Sequence, residues 1–88
     1  MWADELKDEE WASLDLHGMT VEEAEIELIE LLERLPKQVR YLRVTHGYSH
    51  GTALKRMVKN DFWHWRVRDK RVETNPGVTW LVLKPMKR

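Results

Sequence analysis

The chain of 88 residues is long enough for one domain with a thin core, because so short a chain buries roughly 60% of its unfolded surface. It has no cysteine, which excludes disulfides and thiolate chemistry, and no apolar run approaches the ~18 residues of a membrane span. The net charge of zero divides unevenly: residues 1–40 carry 12 acids and 4 bases, whereas residues 41–88 carry 3 acids and 11 bases. The basic half indicates a surface for phosphates, although two solvated faces that happen to differ would give the same totals. The acidic N-terminus lacks the pattern of a signal peptide, so we expect a cytoplasmic protein.

The first predicted strand carries two polar side chains on one face. Residues 1–12 are predicted to be an N-terminal arm or short helix. In residues 13–17, leucines alternate with Asp15 and His17. Because successive side chains of a strand point to opposite faces, Asp15 and His17 share a face. Gly18 then ends the strand.

A helix and a second strand follow. Thr20 with Glu23 three residues later predicts a capping box at the start of the helix, and Pro36 ends it. The apolar stripe of this helix comprises Val21, Ala24, Leu28, Leu31, Leu32 and Leu35. Residues 40–45 are predicted to form the second strand. A strand, a helix and a strand joined by short links form a βαβ unit, so the two strands should be parallel.

The second half of the chain predicts a loop, a shorter helix and a third strand. The loop spans residues 46–51 and the helix residues 52–60. The inward positions of this helix are predicted to be Ala53, Leu54, Met57 and Val58. In the third strand, Trp63, Trp65 and Val67 alternate with His64, Arg66 and Arg68. This phase gives the strand one basic face and places the tryptophans in the core, with stacking on nucleic-acid bases as the alternative.

The order of the predicted elements defines the fold class. Residues 75–77 form a turn signal, residues 78–83 are the last predicted strand, and residues 85–88 are a basic tail. The resulting order, β-α-β-α-β-β, predicts an α/β (α+β) two-layer sandwich over residues 13–84. We expect a four-stranded mixed sheet with both helices on one face and the other face partly open.

Candidate catalytic residues follow both strands of the βαβ unit. The carboxyl ends of parallel strands lie on one edge of a sheet, where ligands of open α/β sheets bind. Asp15 and His17 come from the first strand and His46 follows the second, so we expect them within one crevice. Histidine changes its charge near neutral pH, and a carboxylate can orient an imidazole or an attacking water. A satisfied surface histidine is the commoner role for any one of these residues alone.

The loop after the second strand and the basic residues beyond it are candidates for nucleic-acid binding. Glycines let a backbone approach a phosphate, and the first N–H groups of a helix attract anions, although many strand–helix turns need glycine for conformation only. Lysine and arginine would neutralise the backbone. The predicted binding residues are Gly47, Ser49, His50, Gly51, Arg43, Lys55, Lys59, Arg66 and Arg68.

Three motifs in this order resemble one known family. Leu14–Gly18, then Leu42–Gly47, then Gly77–Thr79 are similar to the motifs of the small MutS-related (Smr) domain. The resemblance implies a fold similar to the C-terminal domain of bacterial translation initiation factor 3. It also implies nucleic-acid binding and, in several members, endonuclease activity on DNA or RNA. The family's first motif supplies Asp15 and His17, and its second supplies His46, Gly47 and Gly51; at Ser49 the family commonly has glycine.

The sequence therefore favours an endonuclease that cleaves phosphodiester bonds in DNA or RNA. Asp15 with the histidines could ligate a divalent metal, Mg²⁺ or Mn²⁺, but an Asp-x-His pair is sparse for magnesium, which prefers several oxygen ligands. Metal dependence stays open at this stage. The alternative is a module without catalysis that binds RNA, a ribosome or branched DNA. A protein-binding adaptor that uses the acidic helix has little support.

Overall fold

Two helices lie on one face of a four-stranded sheet in the computed structural model, which describes residues 10–47 and 52–84. The strands and helices are β1 Trp11–Asp15, α1 Val21–Arg34, β2 Tyr41–Thr45, α2 Ala53–Arg56, β3 Val67–Val72 and β4 Val78–Leu83. A π-helical turn, Met57–Asp61, continues α2 directly. The predicted order of elements is confirmed.

The sheet is mixed, as predicted. Its strand order is β1-β2-β4-β3. The pair β1–β2 is parallel and carries α1 as its crossover, whereas β4 runs antiparallel to both of its neighbours. In the parallel pair Asp15 lies opposite Thr45, so both strands end at the same edge.

Helix α1 begins at a capping box and packs its apolar stripe on the sheet. The Thr20 side chain accepts the N–H of Glu23, and the Glu23 carboxylate accepts the N–H of Thr20. These two bonds satisfy N–H groups that have no partner within the helix. Leu28 and Leu32 are fully buried, and Leu35 ends the helix just before Pro36. The predicted cap, stripe and end of this helix are all confirmed.

One apolar core joins both helices to the same sheet face. It combines side chains of α1, the second helical segment and the three strands β2, β3 and β4. Its buried members include Leu28, Leu32, Leu42, Val44, Met57, Val58, Phe62, Val67, Leu81 and Leu83. The prediction that both helices share one face is therefore confirmed.

The second sheet face has a smaller apolar cluster of its own. Val78 and Trp80 are buried there and Tyr41 packs against them. The ring of Trp11 lies 5.5 Å from that of Trp80 and is itself 49% exposed. This face is thus covered around Trp80, while the edge at Trp11 is open.

Two boundaries differ from the predicted ones. Strand β1 begins at Trp11, within the segment predicted as an arm, because Trp11 pairs with Tyr41 of the neighbouring strand. The second helix changes to π-helical geometry at Met57, and Ala53, predicted to point inward, is exposed. Ala53 is the first residue of α2 and lies before the π-helical turn, whereas Leu54, Met57 and Val58 pack on the core as predicted.

The segment before β3 alternates as predicted, but with the opposite phase. Strand β3 starts only at Val67, and Trp63 and Trp65 are 58% and 55% exposed, not part of the core. The even positions point inward instead, and Arg66 is 2% exposed. Its guanidinium donates to the carbonyls of Leu32, Leu35 and Pro36 at the end of α1. The last carbonyls of a helix have no partner within it, so this arginine satisfies them.

Candidate active site

The edge where β1 and β2 end brings together an aspartate and a histidine. Asp15 is the last residue of β1, and one oxygen of its carboxylate, Oδ1, accepts both the backbone N–H of His17, at 3.0 Å, and the ring Nδ1, at 2.8 Å. Between them, Leu16 is buried and its N–H donates to the carbonyl of Thr45. Gly18, at φ 85°, then takes the left-handed conformation that turns the chain toward α1.

This pair fixes the tautomer of His17. A carboxylate can only accept, so Nδ1 carries the proton and, in the neutral ring, Nε2 has a free lone pair. The His17 and Asp15 side chains are 70% and 60% exposed, so Nε2 is accessible to a ligand. The hydrogen bonds from the His17 side chain and backbone lower the pKa of Asp15, which keeps the carboxylate ionised. The arrangement can therefore accept a proton from a bound water.

His46 directly follows β2, which ends at this edge, but its side chain points into the fold. It is 3% exposed. Its Nδ1 donates to the carbonyl of Gly47 at 2.9 Å, and its Nε2 accepts from the Thr79 hydroxyl at 2.9 Å. Burial lowers the pKa of His46, and the nearby charges of Lys55 and Lys59 lower it further. Both ring nitrogens are thus occupied and the ring is held neutral.

Gly47, two residues after β2, lies directly beside His17. Its φ is 74°, a conformation that side chains rarely adopt, and a Cβ built on it would lie 3.5 Å from the Cβ of His17. Its N–H and that of His46 both donate to the carbonyl of Gly77. The Gly47 N–H, predicted to hold a phosphate, therefore already donates a hydrogen bond within the protein. The other predicted loop residues, Ser49, His50 and Gly51, lie outside the described residues.

Two lysines on the second helical segment separate two open clefts. Lys55 and Lys59 line both clefts and are half-buried. The first, of about 210 Å³, is closed on its other side by the turn before β4, which includes Thr74 and Asn75. The second, of about 250 Å³, includes Arg56, which the sequence interpretation did not single out. Neither lysine makes an ion pair with any residue that the structure describes, so both charges are available to an anion.

The three predicted arginines lie in three different surroundings. Arg43 is on the second sheet face and donates to both carboxylate oxygens of Glu73, at 3.2 and 3.3 Å. Arg66, predicted to bind phosphate, is buried at the end of α1, and its guanidinium donates to carbonyls there. Arg68 is exposed. The sequence could not separate them, because the partners of Arg43 and Arg66 are about 30 residues away along the chain.

No metal cluster occurs among residues 10–47 and 52–84, where no three histidine, aspartate or glutamate side chains lie close enough to share an ion. Asp15 and His17 are one carboxylate and one imidazole, whereas magnesium prefers several oxygen ligands. The described residues thus do not form a magnesium site by themselves.

Among residues 10–47 and 52–84, no helix is both long and apolar enough to cross a membrane.

The domain is a two-layer α/β sandwich that carries an aspartate–histidine pair at the edge of its parallel strands. The chain belongs to the Smr domain family, whose profile matches residues 14–84. It is similar to the crystal structure of the Smr domain of Thermus thermophilus MutS2, with 29% sequence identity and a TM-score of 0.73 over 84% of this chain and 99% of that one. No curated protein matches the chain. The Smr family is associated with nucleic-acid binding and nuclease function.

Proposed function

We propose that this chain is an Smr-type endonuclease that cleaves phosphodiester bonds in DNA or RNA. The observation that carries the proposal is the accessible Nε2 of His17, whose ring is oriented by Asp15 through a 2.8 Å hydrogen bond to Nδ1. An imidazole held in this way is a general base, and the carboxylate stabilises the imidazolium that forms.

In the proposed reaction, Nε2 of His17 takes a proton from a water molecule as the water oxygen bonds to phosphorus. The bond from phosphorus to the leaving sugar oxygen breaks, and that oxygen takes a proton from the imidazolium or from solvent. Lys55 and Lys59 border two clefts, and their charges reach His46, the residue after β2. In this proposal they hold the phosphates of the substrate backbone. Fixed cations at developing negative charge lower the barrier.

His46 has a positioning role in this proposal rather than the proton-transfer role expected from the sequence. Its ring bonds the Thr79 hydroxyl and the Gly47 carbonyl, so it helps to hold Gly47, which lies beside His17. A ring with both nitrogens occupied and 3% exposure has no free atom for the substrate.

A second candidate is a binding module without catalysis, for RNA, a ribosome or branched DNA. It is favoured by the cationic surface that Lys55, Arg56 and Lys59 share along one helical segment. It also agrees with the Gly47 amide being occupied by Gly77. This function needs the cations and not His17.

Purified protein incubated with labelled single-stranded, duplex and branched DNA and RNA, with and without EDTA, tests the proposal. We expect cleavage by the wild type and none by the Asp15→Ala/His17→Ala variant. Asp69→Asn is the matched control, since Asp69 is another carboxylate with a lowered pKa, held by hydrogen bonds from Lys70 and Arg71 and placed on β3. Binding without cleavage by clean wild-type protein, whatever the metal, would favour the binding module.

A further inference from the structure

Two tryptophans are displayed on the surface just before β3. Trp63 and Trp65 are 58% and 55% exposed. Leaving two large apolar rings in water forgoes the burial that most stabilises a small domain, and exposed tryptophan is typical of binding surfaces. The exposed pair therefore has the character of a binding surface.

The backbone that carries these rings is anchored at alternate positions. Phe62 is 4% exposed and belongs to the core, and Arg66 is tied to the end of α1. His64, with its side chain 7% exposed, donates from Nε2 to Glu33 and accepts the N–H of Arg66 at Nδ1. Because residues 62, 64 and 66 are held inward, the two tryptophans between them must point outward.

Each tryptophan also has a neighbour that supports its ring. The ammonium of Lys70 lies 4.2 Å from the centre of the Trp63 ring, and it donates to the carbonyls of Lys59 and Phe62. The ring of His64 lies 5.4 Å from that of Trp65, tilted by 31°. The rings are thus held in place before any ligand binds, which lowers the entropy cost of binding.

Two exposed cations follow the pair in the chain and could bind an anionic partner, although the carboxylates of Glu33 and Asp61 are also close to it. Arg68, next in the chain after Val67, is exposed and makes no ion pair within the described residues. Lys84 is exposed too, and its N–H bonds the carbonyl of Arg66. Aromatic rings interleaved with cations are the surface that single-stranded nucleic acid uses, because every base has a flat face to stack and each linkage a phosphate to neutralise.

We propose that Trp63 and Trp65 form a stacking site for unpaired bases, with Arg68 and Lys84 beside it for the phosphates. The site is separate from the Asp15 and His17 edge. Asp15 lies opposite Thr45, which pairs with Val78 at the start of β4, whereas Val67, which follows the two tryptophans, pairs with Leu83 at the end of β4. The proposal extends the proposed function, since it assumes a nucleic-acid ligand. It predicts a preference for substrates with a single-stranded stretch.

Titration of the protein with short homothymidine and homouridine strands, followed by tryptophan fluorescence and by anisotropy of a labelled strand, tests the site. Stacking energies support a loss of roughly five- to a hundred-fold in affinity for Trp63→Ala and for Trp65→Ala. The phenylalanine variants should retain part of the affinity. Trp11→Ala is the matched control, because Trp11 is also about half exposed but lies on the other sheet face.

Separate outcomes distinguish this site from the catalytic proposal. The Asp15→Ala/His17→Ala variant should lose cleavage and still bind single strands like the wild type. The Trp63→Ala/Trp65→Ala variant should lose single-strand affinity and still cut duplex substrate. Unchanged single-strand affinity in the double tryptophan variant would overturn the inference. So would self-association in sedimentation experiments that depends on the two tryptophans and occurs without quenching by either strand, since a second copy would then be the occupant.

Discussion

His17 and Asp15 divide one chemical task between them, and their variants should separate. His17→Ala removes the proton acceptor but no cation, and general bases typically contribute ~10²–10⁴-fold. We expect cleavage to fall at least about a hundredfold while the Kd for nucleic acid changes little. Asp15→Asn should cost less if the carboxylate only orients the ring, and about as much if it also holds the water. Single-turnover rates alongside binding titrations provide the measurement, and a wild-type rate in His17→Ala would contradict the assignment.

His46 should make the stability of the domain depend on pH. Burial lowers its pKa below 6.5, so the folded state binds fewer protons than the unfolded state in mildly acidic solution. The free energy of unfolding should therefore fall as the pH drops below 6.5. While the folded ring stays neutral, the slope approaches ~1.4 kcal/mol per pH unit.

Denaturant titrations between pH 7.5 and 5.5, values chosen to bracket roughly the ordinary histidine range, measure this slope. His46→Gln keeps hydrogen-bonding groups at the site and removes the titration, so its stability should vary less with pH than that of the wild type. An unaltered slope in His46→Gln would mean that another group carries the effect.

The sequence was informative about single residues where the deciding contacts are local. The Asp15–His17 pair spans two residues of chain, and Thr20 with Glu23 spans three. By contrast, His46 meets Thr79 across 33 residues. The sequence pattern predicted proton transfer by His46 because it does not show the distant Thr79 hydroxyl. That hydroxyl holds the ring inside the fold.

At the scale of the element, Arg66 should be worth more to stability than any surface arginine. It closes the end of α1 by donating to three carbonyls, of Leu32, Leu35 and Pro36. Arg66→Ala leaves the buried carbonyl of Leu32 without this donor and removes one bond each from the carbonyls of Leu35 and Pro36, of which Pro36 keeps the N–H of Val39. We expect a loss of about 2–4 kcal/mol in the free energy of unfolding. Arg68→Ala, two residues away and exposed, should change it by less than about 0.5 kcal/mol. Equal losses in urea denaturation would contradict the capping role.

The same arginine explains why the segment before β3 was predicted in the wrong phase, whereas Val67 and Arg68 lie inside and outside as predicted. Trp63 and Trp65 look apolar and Arg66 looks solvated, so hydrophobicity alone places the tryptophans inside. The carbonyls at the end of α1 have no partner within the helix, and Arg66 is buried to supply one. Leaving them without a donor would cost more free energy than exposing the two tryptophan rings. Strand β4 was predicted well, since its apolar run lies between two neighbours and is buried along its whole length.

At the scale of the whole molecule, the separation of acidic and basic residues along the chain becomes a separation of surfaces. The outer face of α1 carries glutamates, whereas α2 and the turn that follows carry Lys55, Arg56 and Lys59. A polyanion is therefore attracted to the side of this helical layer that carries the second helical segment and is repelled by the glutamates of α1.

This separation of charge predicts which lysines set the salt dependence of binding. Each true phosphate contact contributes about one unit to the slope of log affinity against log salt. Lys55→Ala and Lys59→Ala should each reduce the slope by about one unit, and the double variant by about two. Lys37→Ala is the matched control, because Lys37 is exposed at the far end of α1, and it should leave the slope unchanged. If the double variant keeps the wild-type slope, the phosphates lie on another surface, and Arg68 and Lys84 beside the two tryptophans are the next cations to replace.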